Sequence, residues 1–276
     1  MANAPMPSLV ADLAAGTAAA ASRRSQKAAE RSAAALYRNA WASQDSARRV
    51  AEEPGALPAM VAALTAGGAT ATPSLQAAAT DCAAALALVT QASPELAGRA
   101  AQEPGALPTL VAALAAGTPT APPSIQKAAE SSAIALIEIT RAGPEFARRL
   151  VDVPGALPTL AAAAAAHGAA AVPGRSGVAE RSAAALVEMA LAGPEFARRM
   201  ADELSLLPAL IAAVAAGGTA VDPNLQGAAR HSALALAEMA ATGTDLAQRV
   251  AEQPRVLPTL VAAVAAVGRA TAAISL

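Results

Sequence analysis

The dipeptide Leu-Pro recurs at 57/58, 107/108, 157/158, 207/208 and 257/258, a constant step of 50 residues. Each sits in a near-copy of one phrase: PGALPAMVAALTAG from Pro54, PGALPTLVAALAAG from Pro104, PGALPTLAAAAAAH from Pro154, LSLLPALIAAVAAG from Leu204 and PRVLPTLVAAVAAV from Pro254. A shorter version, MPSLVADLAAG, begins at Met6. A fixed period of this size marks a repeat array, in which each unit buries its apolar face only against its neighbours. It therefore overrides the one-or-two-domain count that 276 residues would otherwise suggest.

About a third of the residues are alanine and only 1% are aromatic. Alanine has the best helix propensity, and its small side chain lets helix axes approach closely, so an all-helical body is expected and a sheet is not. The formal net charge of −1 offers no global attraction for nucleic acid or an anionic membrane. A single cysteine, Cys82, excludes an internal disulfide framework and fits a reducing intracellular compartment. The cytoplasm is the simplest assignment, and an organelle or a cilium is compatible with it. The apolar run from Ala156 to Ala166 is too short for a bilayer, so no membrane insertion is expected. The N-terminal stretch is rich in Ala, Ser and Arg, as transit peptides are. Yet Met6 to Gly16 copies the repeated phrase and QKAAERSAAAL from Gln26 copies QKAAESSAIAL from Gln126, so it reads as the first packing layer.

Each period divides into three helical pieces. In the central copy the first is predicted from Pro144 to Val151, with Glu145 favourable to the dipole at its start. The second is predicted from Pro158 to Ala166, with His167 where other copies mostly carry a stop glycine. The third opens on a proline-containing phrase, TPSLQ from Thr72, APPSIQ from Ala121 and DPNLQ from Asp222, and runs for about five turns, to Arg141 in the copy opened by APPSIQ. Asp222 before Pro223 reads as an N-cap. The fourth copy has VPGRSGVAE from Val172, without the glutamine and with two extra glycines, which predicts a frayed or displaced helix start.

GALPTLVAALAAG, followed by a P-x-[LI]-Q helix start and an alanine-rich long helix, resembles the armadillo repeat, with HEAT-like repeats as near neighbour. The resemblance covers nearly the whole chain. It implies an all-α, right-handed α-solenoid of three-helix repeats, here with a 50-residue period, running through residues 1–276 as a single body. A partial N-terminal layer would span about 6–42, full repeats 43–92, 93–142, 143–192 and 193–242, and a partial C-terminal layer 243–276. It further implies that the third helices line a concave groove. The family's peptide binders place tryptophan and asparagine there. Those positions hold Ala34, Ala84, Ile134, Ala184 and Leu234, and Arg38, Leu88, Glu138, Glu188 and Glu238, so the tryptophan and asparagine ladders are missing.

Comparison of the copies assigns the faces. Ala29, Ala79, Ala129, Ala179 and Ala229 are identical, as are Leu36, Leu86, Leu136, Leu186 and Leu236, with Ser32, Cys82, Ser132, Ser182 and Ser232 between them. Their spacings of three, four and seven describe one face, expected to be buried in every layer, and Cys82 reads as a small core residue. A second stripe varies freely: Glu30, Ala34, Arg38, Trp41; Thr80, Ala84, Leu88, Gln91; Glu130, Ile134, Glu138, Arg141; Glu180, Ala184, Glu188, Leu191; Arg230, Leu234, Glu238, Ala241. Recognition is placed on this stripe, which equally fits a solvated face without a ligand. Glu138, Glu188 and Glu238 would form an acidic row of about 20 Å at about 10 Å per layer. A protein or peptide partner with basic side chains would compensate it. Tyr37 and Trp41, four residues apart, are either an end anchor or packing that closes the first layer.

Arg23, Arg24, Lys27, Arg31, Arg38, Arg48 and Arg49 make the first layer locally basic, which is the alternative reading, an anion or nucleic-acid site. Without interleaved aromatics or a recognised module, nucleic acid is disfavoured. Arg49, Arg99, Arg149, Arg199 and Arg249 recur in every layer, which argues for helix C-terminal charge compensation over a specific contact. His167 and His231 have no partner at metal or triad spacing, and His231 shares its column with Arg31, Asp81, Ser131 and Arg181, expected to be a solvent face. No catalytic, cofactor or metal site is therefore expected, and the function read from the chain is a non-catalytic interaction scaffold or subunit of a larger assembly.

Overall fold

The structure is a computed structural model that describes residues 4–169, 177–217, 220, 222–253, 256–259 and 261. Among them the regular structure is α-helical throughout, and the chain divides into two compact units, 1–146 and 147–276. The first unit holds α1 (Met6–Thr17), α2 (Arg23–Ala42), α3 (Gln44–Glu52), α4 (Ala56–Ala66), α5 (Pro73–Ala92), α6 (Pro94–Gln102), α7 (Ala106–Ala116) and α8 (Pro123–Arg141). After α9 (Pro144–Val151), where the boundary falls, the second holds α10 (Ala156–Ala169), α11 (Gly177–Leu191), α12 (Pro194–Asp202), α13 (Leu206–Gly217), α14 (Pro223–Ala241) and α15 (Thr244–Ala251).

Like packs on like. In the first unit α2 lies on α5 and α5 on α8, while α1 lies on α4 and α4 on α7. The short helix α3 sits against α2, α4 and α5. In the second, α11 lies on α14, α10 on α13, and α12 against α11, α13 and α14. The buried columns are those the copies define: Ala29, Ala79 and Ala129 with Leu36, Leu86 and Leu136 in one unit, Ala179 and Ala229 with Leu186 and Leu236 in the other. Cys82 is sealed in the core, and burial pushes its thiol pKa up, so it stays a neutral packing residue.

The short helices α6, α9 and α12 and the long helices α5, α8 and α14 begin at their prolines. Ser43 and Ser93 accept from the amides of Ser46 and Leu96, and Asp222 caps α14 by accepting from Asn224 N. The second helices differ from expectation. They start at Ala56, Ala106 and Ala156, two residues before the prolines, because Gly55, Gly105 and Gly155 adopt the left-handed conformation (φ 78–79°) that turns the chain directly into the helix. Pro58, Pro108 and Pro158 thus occupy the third helical position, still within the first turn, where no intrahelical amide bond is lost. α10 also continues to Ala169, past the expected end. The VPGRSG stretch falls mostly outside the described residues, and α11 is described from Gly177.

The recurring glutamine of the third-helix start closes the loop before it. Gln76 Nε2 donates to the carbonyls of Ala69 and Ala71, Gln126 Nε2 to those of Thr118, Pro119 and Ala121, and Gln226 Nε2 to that of Ala220. A chain segment without secondary structure has carbonyls to satisfy, and one amide on the helix does it.

Candidate partner-binding faces on the long helices

In the first unit, side chains next to the variable stripe link α2, α5 and α8 into a polar and aromatic surface. On α2, Tyr37 and Trp41 meet in a tilted pair with ring centroids 6.1 Å apart; Tyr37 is half-buried and Trp41 is 68% exposed. From α8, Lys127 reaches across to place Nζ 5.8 Å from the Tyr37 centroid, within cation–π range. Asp81 of α5 lies half-buried in the same field. Burial raises its carboxyl pKa, and Glu30 adds to this, while Lys127 and Arg38 oppose it. α2 and α8 therefore meet through long side chains over α5, whose own stripe residues Thr80 and Ala84 are buried rather than free. Thr80 Oγ1 bonds to the carbonyls of Gln76 and Ser124.

Along α8, Glu130, Ile134 and Glu138 share a half-buried face, and Glu138 accepts from Arg141 Nη1 at 3.1 Å. Part of the expected negative charge is thus met within the helix, by a pair that is exposed and weak. Arg38 is exposed.

In the second unit, α11 presents Glu180, Ala184, Glu188 and the exposed Leu191, and α14 presents Arg230, Leu234 (42% exposed) and half-buried Glu238. Gly227 of α14 makes room for Glu180, since a Cβ there would stand 2.6 Å from its carboxylate oxygen. Next to them, half-buried His231 has its pKa lowered by burial and by Arg230, against the opposite pull of Glu180 and Glu188, and its Nδ1 has no hydrogen-bond partner. Glu138 belongs to the first unit, and Glu188 and Glu238 to the second.

Two expectations about neighbouring columns are corrected. The column of Arg31, Asp81, Ser131, Arg181 and His231 is not a plain solvent face: Ser131 is buried, and Asp81 and His231 are half-buried, because the adjacent long helix covers this side. The recurrent arginine does make a specific contact. Arg99 Nη2 donates to Ala51 O (3.1 Å), Arg199 Nη1 to Asp152 (2.6 Å), and Arg249 to both Asp202 (2.7 Å) and Ala201 O (2.6 Å). Each reaches the C-terminus of the preceding short helix, where carbonyls and an acidic residue await a cation. The recurrent arginine does compensate a helix end, that of the neighbouring short helix and not its own. The side chain of His167 lies outside the described residues.

Sequence reasoning missed Lys127 and Asp81. Lys127 lies 90 positions from Tyr37, so no local pattern links them. The seven basic residues of the first layer are all exposed. Among the described residues no three His, Cys, Asp or Glu side chains converge as metal ligands, and no single helix is long and apolar enough to cross a membrane.

No family model matches the chain, and no curated protein does. Solved structures do. A designed armadillo repeat protein is similar over 95% of this chain and 99% of its own, at 18% identity and a TM-score of 0.65. An engineered protein from a structural genomics consortium is similar over 95% and 98%, at 22% identity and 0.65. A second engineered protein matches 93% of this chain and 52% of its own, at 19% identity and 0.66. The chain has an armadillo-like repeat fold of the all-α solenoid class.

Proposed function

We propose that the protein is a non-catalytic interaction scaffold, an adaptor or a fixed subunit of a larger assembly, that takes a protein or peptide partner along the variable face of its third helices. The observation that carries this reading is the contrast between neighbouring columns on the same helices. Leu136, Leu186 and Leu236 are sealed and identical, whereas two residues further on Glu138, Glu188 and Glu238 keep a carboxylate at the same half-buried position in each helix. Carboxylates repeated at one position favour a partner with basic side chains, even though Arg141 already meets part of the charge of Glu138. Ile134, Leu191 and Leu234 supply apolar area beside them. A reducing intracellular compartment, cytoplasmic or within an organelle or cilium, accords with the lone buried cysteine.

The test replaces Glu138, Glu188 and Glu238 together by glutamine, which keeps size and polarity and deletes charge. Partners are isolated from the native source with crosslinking to locate contacts, and wild type and variant are compared across ionic strength. Helical ellipticity should be unchanged, capture weaker by roughly ten-fold, and the residual binding less sensitive to salt. Equal capture at every salt concentration would reduce these carboxylates to solvated side chains. The seven exposed cations between Arg23 and Arg49 favour a second reading, an anion or nucleic-acid site, for which affinity for duplex DNA should fall steeply and linearly in log–log salt plots.

A further inference from the structure

At the first layer the short-helix position is an open groove of about 420 Å³, lined by Met6 of α1, Asn39 and Ala42 of α2, and Ser46, Arg49, Glu52 and Glu53 of α3 and its end. One layer on, the corresponding residues are Leu57, Val89, Ala92, Leu96, Arg99, Gln102 and Glu103, and α3 packs there against α4 and α5. There Leu57, Val89 and Leu96 are buried, and Arg99 holds the C-terminal carbonyl of Ala51. At the open position Met6, Asn39 and Ser46 are only half-buried, and Arg49 turns back to Ser46 Oγ of its own helix at 2.9 Å.

We infer that this groove is a docking site for a short amphipathic helix of a protein partner, one that ends in an acidic residue. The chain itself shows the chemistry required. Arginines in the Arg49 column reach the end of the preceding short helix: Arg99 takes the Ala51 carbonyl, Arg199 the Asp152 carboxylate, and Arg249 both the Asp202 carboxylate and the Ala201 carbonyl. The helices that enter this position bury small or apolar residues, Ala47, Val50 and Ala51 in α3, and Phe196, Ala197, Met200 and Ala201 in α12. Asn39 replaces the aliphatic residue that Val89, Ile139, Met189 and Met239 supply elsewhere, which adds an amide donor for the terminal carbonyls of the incoming helix. Glu52 and Glu53 do not forbid an acidic helix end. The Arg199–Asp152 pair forms on α12, which carries Asp202 and is followed by Glu203 at the same register. This surface is separate from the long-helix face and stands whether or not that face binds.

The probe is a peptide of residues 193–203, GPEFARRMADE, with blocked ends, Arg199→Lys, and a lactam from Glu195 to that lysine to hold a helix otherwise too short to persist in water. With the full chain, calorimetry should show saturable 1:1 binding, and amide exchange should slow in α1 to α3. Arg49→Met in the protein and Asp202→Asn in the peptide should each weaken binding about five-fold, and the two together no more than either alone. Absence of saturable binding overturns the inference. So does binding that ignores both substitutions, since that is apolar adhesion without the charge pair.

Discussion

Ser132, Ser182 and Ser232 are fully buried, and their hydroxyls have no hydrogen-bond partner. The column demands a small side chain where long helices meet the core, but it does not demand an oxygen, as Cys82 in the same column shows. A buried unpaired hydroxyl costs free energy that alanine would not. Ser132→Ala, Ser182→Ala and Ser232→Ala should therefore each stabilise by about 1 kcal/mol, read as higher midpoints of urea unfolding. Lower midpoints would mean that the hydroxyls are satisfied or that the lost volume matters more. That this column is small and buried was legible from its recurrence. The burial of its neighbours Ser131 and Asp81 was not, because their residue types vary from copy to copy and resemble a surface.

The glycines after the second helices carry an element-scale lesson. In the sequence they are helix stops, but in the fold they are the points where the second helix meets the third. A Cβ on Gly67 would collide with Ala79 and with the carbonyl oxygen of Leu75, and one on Gly117 with Ala129. The invariant alanine of the long helix and the glycine opposite are thus one contact, which sets how closely the two axes approach. Gly68, next in sequence, has nothing within 4 Å of its would-be Cβ. Gly67→Ala should cost about 1–3 kcal/mol by forcing the helices apart, whereas Gly68→Ala should stay within about 0.5 kcal/mol of wild type. Equal effects in thermal melts would show that the glycine serves only to end the helix.

For the whole molecule, stability should be a sum over layers and their interfaces. A fragment cut after Gly143 keeps α1 to α8 entire, whereas a cut after Ala133 removes the second half of α8 and with it Leu136 and Ile139, both fully buried. The longer fragment should retain its helical ellipticity per residue and melt cooperatively. The shorter one should lose the signal of its last layer and melt at lower temperature. Complete loss of helix in both would mean a single indivisible core.

What the sequence by itself determined is what repeats locally: the three-helix period, the aspartate cap of α14, the proline starts of the short and long helices, and the alanine and leucine columns whose spacing of three, four and seven states which face is buried. Those signals are written within about ten residues of the backbone they shape, so helix geometry alone decodes them. Only the tertiary structure decided what one layer does to the next. Arg99, Arg199 and Arg249 reach back to a neighbouring helix end, the recurring glutamine closes its loop, and Lys127 lies over Tyr37 across an intervening helix. Each depends on the separation of packed helices and the reach of one side chain, and no periodicity along the chain encodes either.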